Sequence, residues 1–190
     1  NGQTYNLEKN DGENNLHSHF DDCFNKKLFT AEIIEDCAVK FSVFSPDGDQ
    51  GFPGNVNASV IYRVTENNAI ELEYEATTDA DTVYNVTNHS YFNLSGHASG
   101  SAMDHKLWLN CKAYTPTFPG SIPTGEIATV AGTPFDFTQS TRIGDRIDEN
   151  NEQLKLAGGY DHNFVVDGSG MTKIAVLTDD ASGREMTVFT

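Results

Sequence analysis

Positive charge is what this sequence has least of. Lys and Arg together number 12 against 28 Asp plus Glu, a formal net charge of -16 over 190 residues. A polyanion repels phosphate backbones and anionic lipid surfaces, which argues against nucleic acid and membrane partners. Arg63, Arg142, Arg146 and Arg184 are scattered along the chain, so the basic cluster that a phosphorylated ligand wants is missing. Long apolar runs are also missing, which excludes a helical bilayer span, and no leader-like segment opens the chain. Cysteine is sparse: Cys23, Cys37 and Cys111 are widely spaced, with no C-x-x-C pair. That pattern predicts free thiols in a reducing, cytoplasmic compartment instead of a disulfide framework. There is no P-loop, no G-x-G-x-x-G, no nucleophile elbow and no H-E-x-x-H, which removes the commonest nucleotide, acyl-transfer and zinc-protease chemistries.

Runs of good helix formers are rare as well, and alternation takes their place. Ala38–Ser45, Ser59–Thr65 and Ala69–Thr77 alternate apolar with polar residues, the signature of half-buried strands. The short link Glu66-Asn67-Asn68 predicts that the last two form a hairpin. Thr82–Val86, Lys106–Ala113, Asn163–Asp167, Lys173–Leu177 and Glu185–Phe189 read as further strands. Helix is expected only within Thr138–Leu156, as one short piece around Thr141–Asn150. The whole is expected to be all-β, a large antiparallel β-sandwich, with 1–190 forming a single domain. The opening N-G-Q-T-Y reads as the inside of a hairpin, and the last strand reaches the terminus with nothing to close it. The domain is therefore expected to be partial at both ends. Sequons begin at Asn57, Asn85, Asn88 and Asn93; their crowding marks ordinary asparagines.

Three segments hold chemistry. In T-N-H-S-Y-F-N-L-S-G, Thr87–Gly96, a strand would put His89, Tyr91 and Asn93 on one face. Imidazole, phenol and carboxamide together suit a sugar, whose ring stacks on aromatics and whose hydroxyls need donors and acceptors. The same histidine could be a half-buried residue bonded to a carbonyl. In G-G-Y-D-H-N-F, Gly158–Phe164, Asp161 could accept from two neighbouring sugar hydroxyls, or could be a turn aspartate bonding its own backbone. In N-N-L-H-S-H-F-D-D-C, His17, His19, Asp21 and Cys23 alternate. Side-by-side ligands on one strand cannot wrap a tetrahedral ion, so this segment is not read as a metal site.

Taken together, these segments resemble the aldose 1-epimerase (galactose mutarotase) family. T-N-H-S-Y-F-N-L-S-G is similar to the family signature. N-x-L-H before His17, G-F-P-G at Gly51–Gly54, I-P-T-G-E at Ile122–Glu126, T-P-F-D-F at Thr133–Phe137 and Y-D-H-N-F at Tyr160–Phe164 follow in the family's order. The resemblance implies the family's supersandwich fold and a cofactor-free, metal-free interconversion of the α and β anomers of galactose, glucose and related aldoses. It implies His89 as the general acid, His17 as the second catalytic and sugar-binding histidine, and Asp161 as the holder of sugar hydroxyls. Tyr91 is expected to contribute to the apolar wall of the sugar site, from the strand register. Scarce arginine sets the chain apart from hexose-6-phosphate epimerases. The sequence departs from the family in three places. Ser18 and His19 stand where the family has glycines after its first histidine. No arginine lies upstream of that segment. No glutamate here matches the family's base near the C-terminus, nor does a glutamine match the residue before it. The base's absence leaves a second reading, a non-catalytic carbohydrate-binding fragment.

Overall fold

The alternating stretches become β2 (Ala38–Ser45), β3 (Val56–Val64) and β4 (Ile70–Thr78), and with β1 (Thr30–Glu35), which is not among the expected strands, they form one antiparallel meander in the order β1-β2-β3-β4. The register carries the alternation across the sheet. Phe41 lies opposite Val60, and Val60 opposite Tyr74, while Val39, Tyr62 and Leu72 form the neighbouring row. These rows make an apolar face. The other face carries Lys40, Arg63, Glu71 and Glu75, with ion pairs from Lys40 to Glu75 at 2.9 Å and from Arg63 to Glu35 at 3.1 Å. The expected hairpin forms, with Asn68 in the left-handed region (φ 57°) closing the turn.

The computed structural model describes residues 2–190. This first sheet belongs to a unit that runs to His89, and Ser90–Thr190 form a second unit. The second unit contains β5 (Lys106–Leu109), β6 (Cys111–Tyr114), β7 (Thr117–Phe118), β8 (Ile122–Pro123), β9 (Ala128–Thr129), β10 (Thr141–Arg142), α1 (Glu152–Ala157), β11 (Phe164–Val166), β12 (Lys173–Asp179) and β13 (Arg184–Phe189). Its sheets run β10-β5-β12-β13, β11-β6-β9 and β7-β8, all antiparallel. The all-β reading therefore holds. Among the described residues no helix is long and apolar enough to cross a membrane.

Lys106–Ala113 is two strands instead of one. At Asn110 the chain leaves the four-stranded sheet and enters the three-stranded one. The Asn110 N–H donates to Ile174 at 2.8 Å, and its carbonyl accepts from the Asp167 N–H at 2.9 Å. Its side-chain amide donates to the Asp167 carbonyl at 2.8 Å. Within Thr141–Asn150 only one 3-10 helical turn forms, Ile143–Asp145. Ile143 and Gly144 give their N–H groups to the carbonyls of His105 and Met103 at 3.0 and 2.9 Å, which ties this turn to the segment before β5. The α-helix is α1, at the far end of the expected Thr138–Leu156 window. Asn151 caps it by accepting from the N–H groups of Gln153 and Leu154, and Gly158 (φ 69°) ends it in the left-handed region.

The core of the second unit is aromatic. Phe135 is fully buried and Phe137 nearly so, with Tyr114, Val130 and Leu154 around them. Phe135 lies flat on Tyr114, centroids 4.5 Å apart, and meets the edges of His162 and Tyr160 at 4.7 and 5.6 Å. The T-P-F-D-F and Y-D-H-N-F segments are thus one packing unit.

Candidate functional site

Neither histidine segment is a strand. Thr82–Val86 and the stretch around His89 alternate in sequence but join no ladder among the described residues. Alternation alone supplies two faces; a strand also needs a hydrogen-bonding neighbour. The face-sharing of His89, Tyr91 and Asn93 expected from a strand therefore does not apply. Side chains fix this segment instead. The Asn88 amide donates to the Tyr62 hydroxyl at 3.0 Å, and the Tyr84 ring packs on Phe24 at 6.2 Å. Tyr62, on the apolar face of β3, is in turn set edge-on against Phe41 at 5.9 Å. His89 thus hangs from a rigid sheet through its neighbour.

His17 lies in irregular backbone too. His17 and Ser18 both take positive φ, 52° and 68°, which breaks the expected alternation of His17, His19, Asp21 and Cys23. His19 spends its Nδ1 accepting from the N–H groups of Asp21 and Asp22, both at 3.1 Å. Among the described residues no three His, Cys, Asp or Glu side chains converge as metal ligands.

The two histidines meet within the first unit. Their rings are 5.8 Å apart, centroid to centroid, and 87° from coplanar. Both line a cavity of about 1130 Å³. Its floor is the apolar face of the sheet, with Phe41, Val60, Tyr62 and Tyr74 exposed to it. Its polar end is built around the two imidazoles. A concave apolar wall with a few convergent polar groups is the usual design of a small-molecule site.

Asp161 belongs to the second unit. Gly158 and Gly159 (φ 69° and 138°) lead into it, and every neighbour is anchored. The Tyr160 hydroxyl donates to the Pro134 carbonyl at 3.1 Å. The Asn163 carbonyl accepts from the Thr115 N–H at 2.9 Å. The His162 Nε2 is 3.0 Å from the Gln153 Oε1, which also accepts from the Thr117 N–H at 2.7 Å. Gln153 Oε1 is therefore an acceptor, so His162 donates through Nε2. Burial lowers the His162 pKa, against the nearby charge of Asp161, and so favours the neutral ring. Asp161 itself is exposed. Among the described residues its carboxylate has no hydrogen-bond donor, so the self-bonded turn is not formed. Tyr91, also in the second unit, is 89% exposed.

The end of the long motif is clamped within the second unit. The Leu94 N–H donates to His105 Nε2 at 2.8 Å, and its carbonyl accepts from Arg184 at 2.8 Å and from the Ser182 hydroxyl at 3.0 Å. The Ser95 hydroxyl donates to Asp179 at 2.8 Å. Hydrogen bonds from Ser182 and Ser95 bring the Asp179 carboxyl down to about 2. A depressed carboxyl stabilises the fold above its unfolded pKa, near 4, and that contribution is lost as pH falls through about 2. Thermal unfolding of Asp179→Asn beside the parent should therefore show a constant deficit above about pH 5 that shrinks between about pH 4 and pH 2. An equal deficit at pH 2 and pH 7 would assign the loss to packing.

The sequence singles out His17, His89 and Asp161 but not the groups that support them. Tyr62 reads as an ordinary strand residue, and only the three-dimensional register brings it under Asn88.

The family model described as Aldose 1-epimerase matches residues 1–190. A curated galactose mutarotase of Bos taurus is 36% identical over 190 residues, covering all of this chain and 53% of that protein. The aldose 1-epimerase of Escherichia coli K12 is 40% identical over 169 residues, 89% of this chain and 48% of that protein. The chain thus spans about half the length of the curated relatives it matches. Among solved structures, a galactose 1-epimerase from Lactobacillus acidophilus NCFM superposes with a TM-score of 0.84 at 31% identity, over 95% of this chain and 53% of that one. An aldose epimerase homologue from C. elegans gives 0.82 at 26% identity, over 98% of this chain and 55% of that one.

Proposed function

The chain belongs to the aldose 1-epimerase family, and on that premise we propose that it takes part in interconverting the α and β anomers of galactose, glucose and related aldoses. The observation that carries this reading is the pair of imidazoles, His17 and His89, edge to face in the wall of one cavity. Mutarotation needs a proton delivered to the ring oxygen while another leaves the anomeric hydroxyl. An imidazole titrates near neutrality and can give the proton in one direction and retrieve it in the other.

In the forward step His89, as imidazolium, protonates the ring oxygen. The bond from C1 to that oxygen breaks, and the anomeric O–H proton passes to a base, leaving the open aldehyde. Rotation about C1–C2 and reversal of the same transfers close the ring on the opposite face. His17 donates to a sugar oxygen and holds the ring while it opens. Asp161 accepts from sugar hydroxyls. Neither the chemistry nor the residue set calls for a metal or cofactor. The three cysteines are free, which supports a reducing, cytoplasmic setting.

Polarimetry of freshly dissolved α-D-galactose or α-D-glucose tests the proposal: the protein should speed the approach to the equilibrium rotation. Sugar binding without acceleration would replace the enzyme reading by a non-catalytic carbohydrate-binding one. Asp161→Ala should raise KM about tenfold or more, the scale of one or two charge-assisted hydrogen bonds, with an unchanged circular dichroism spectrum. Unfolding of that variant would mean the aspartate's main role is in the turn.

A further inference from the structure

The loop that carries His17 has no ladder to define it, yet its backbone is in a costly shape. Two consecutive non-glycine residues, His17 and Ser18, sit in the left-handed region, where a side chain is disfavoured. The His19 N–H donates back to the His17 carbonyl at 2.9 Å across Ser18, a tight three-residue turn of the strained sign. The surrounding structure must over-determine such a shape for it to persist.

Two ties connect this loop to the turn at Asp49–Gly51. At its far end Lys27 is 3.0 Å from both Asp22 and Asp49. Burial works against the Lys27 charge, and the bonds to Asp49 and Asp22 outweigh it and raise its pKa. At its near end the Ser18 hydroxyl meets the Gln50 Oε1. The orientation of that carboxamide is set, because Gln50 Nε2 donates to the Asp49 carboxylate at 3.2 Å and leaves Oε1 facing Ser18. The hydroxyl also lies 2.6 Å from the His17 carbonyl. It has one proton to give, so Gln50 competes directly with the carbonyl of His17 for it. The Ser18 carbonyl is held separately by the Asn15 amide at 2.8 Å.

We propose that Gln50 is a positioning residue for His17: turned by Asp49, it grips Ser18 and holds the strained backbone that sets the His17 ring edge-on to His89. The proposal rests on the sugar-site reading of the two histidines. It also accounts for a serine where the family resemblance implies glycine, since a side chain at φ 68° is compensated by the bond it makes.

Glycine substitutions test this cleanly. Gln50 itself has φ 55°, so Gln50→Gly removes the carboxamide while easing the backbone; Ser18→Gly does the same from the other side of the bond. The expected result for Gln50→Gly is an unchanged circular dichroism spectrum, with a weakened NMR cross-relaxation signal between the His17 and His89 rings. The value of kcat should fall about tenfold or more, with KM changing less. The double variant should lose no more than the worse single one, because both act through one bond. Unaltered His17 ring signals in Gln50→Gly would overturn the proposal, as would full additivity in the double variant. Should Gln50→Gly not fold, Ser18→Gly reads the same bond. The ring signals do not depend on turnover. A parent protein without mutarotase activity but with this Gln50 response would sink the enzyme reading and leave the positioning intact.

Discussion

His89→Ala will slow mutarotation by about 10²–10⁴-fold, the usual contribution of one positioned proton donor, while leaving the fold in place. His89 is in irregular backbone that hangs from Tyr62 through Asn88, so truncating its ring removes no ladder bond. Polarimetry at saturating galactose, beside circular dichroism on the same samples, gives both readouts. A variant as fast as the parent would show that the ring oxygen takes its proton from elsewhere. A variant that is slow and also unfolded would assign His89 to structure instead of chemistry.

The largest stability effect is expected at Phe135. Its side chain is fully buried, lying flat on Tyr114 and in contact with His162, Tyr160 and Phe164. Truncating a buried phenylalanine costs its transfer free energy plus the cavity left behind, so Phe135→Ala should destabilise by about 3–5 kcal/mol in urea unfolding. Phe135→Leu, which leaves a smaller void, should cost markedly less. A loss below about 1 kcal/mol in the alanine variant would mean that the surrounding rings collapse into the space. The effect should reach Asp161 as well, because Tyr160 and His162 flank it and pack on this ring.

The sheet around β3 was legible in the sequence because its two faces differ. Alternation, a turn-prone link and charged residues on one side only all point to the same register. The family segments were legible for a different reason, since their chemistry is written in contiguous words. What stayed hidden depends on distant pairing. Thr82–Val86 alternates like β2 but joins no ladder among the described residues, and nothing local distinguishes the two. The break at Asn110 is set by hydrogen bonds from residues far along the chain. Among the candidate residues, His17, His89 and Asp161 carry recognisable side chains. The Tyr62 hydroxyl and the Gln50 carboxamide act only through where the fold puts them.

The crossing at Asn110 has a consequence for how the second unit comes apart. One residue is the last rung of one sheet and the first of the next, bonded to Ile174 on one side and twice to Asp167 on the other. Fraying that begins in either sheet must pull on a strand that continues into its neighbour. The two sheets are therefore expected to open together, with matched hydrogen-exchange protection on either side of Asn110.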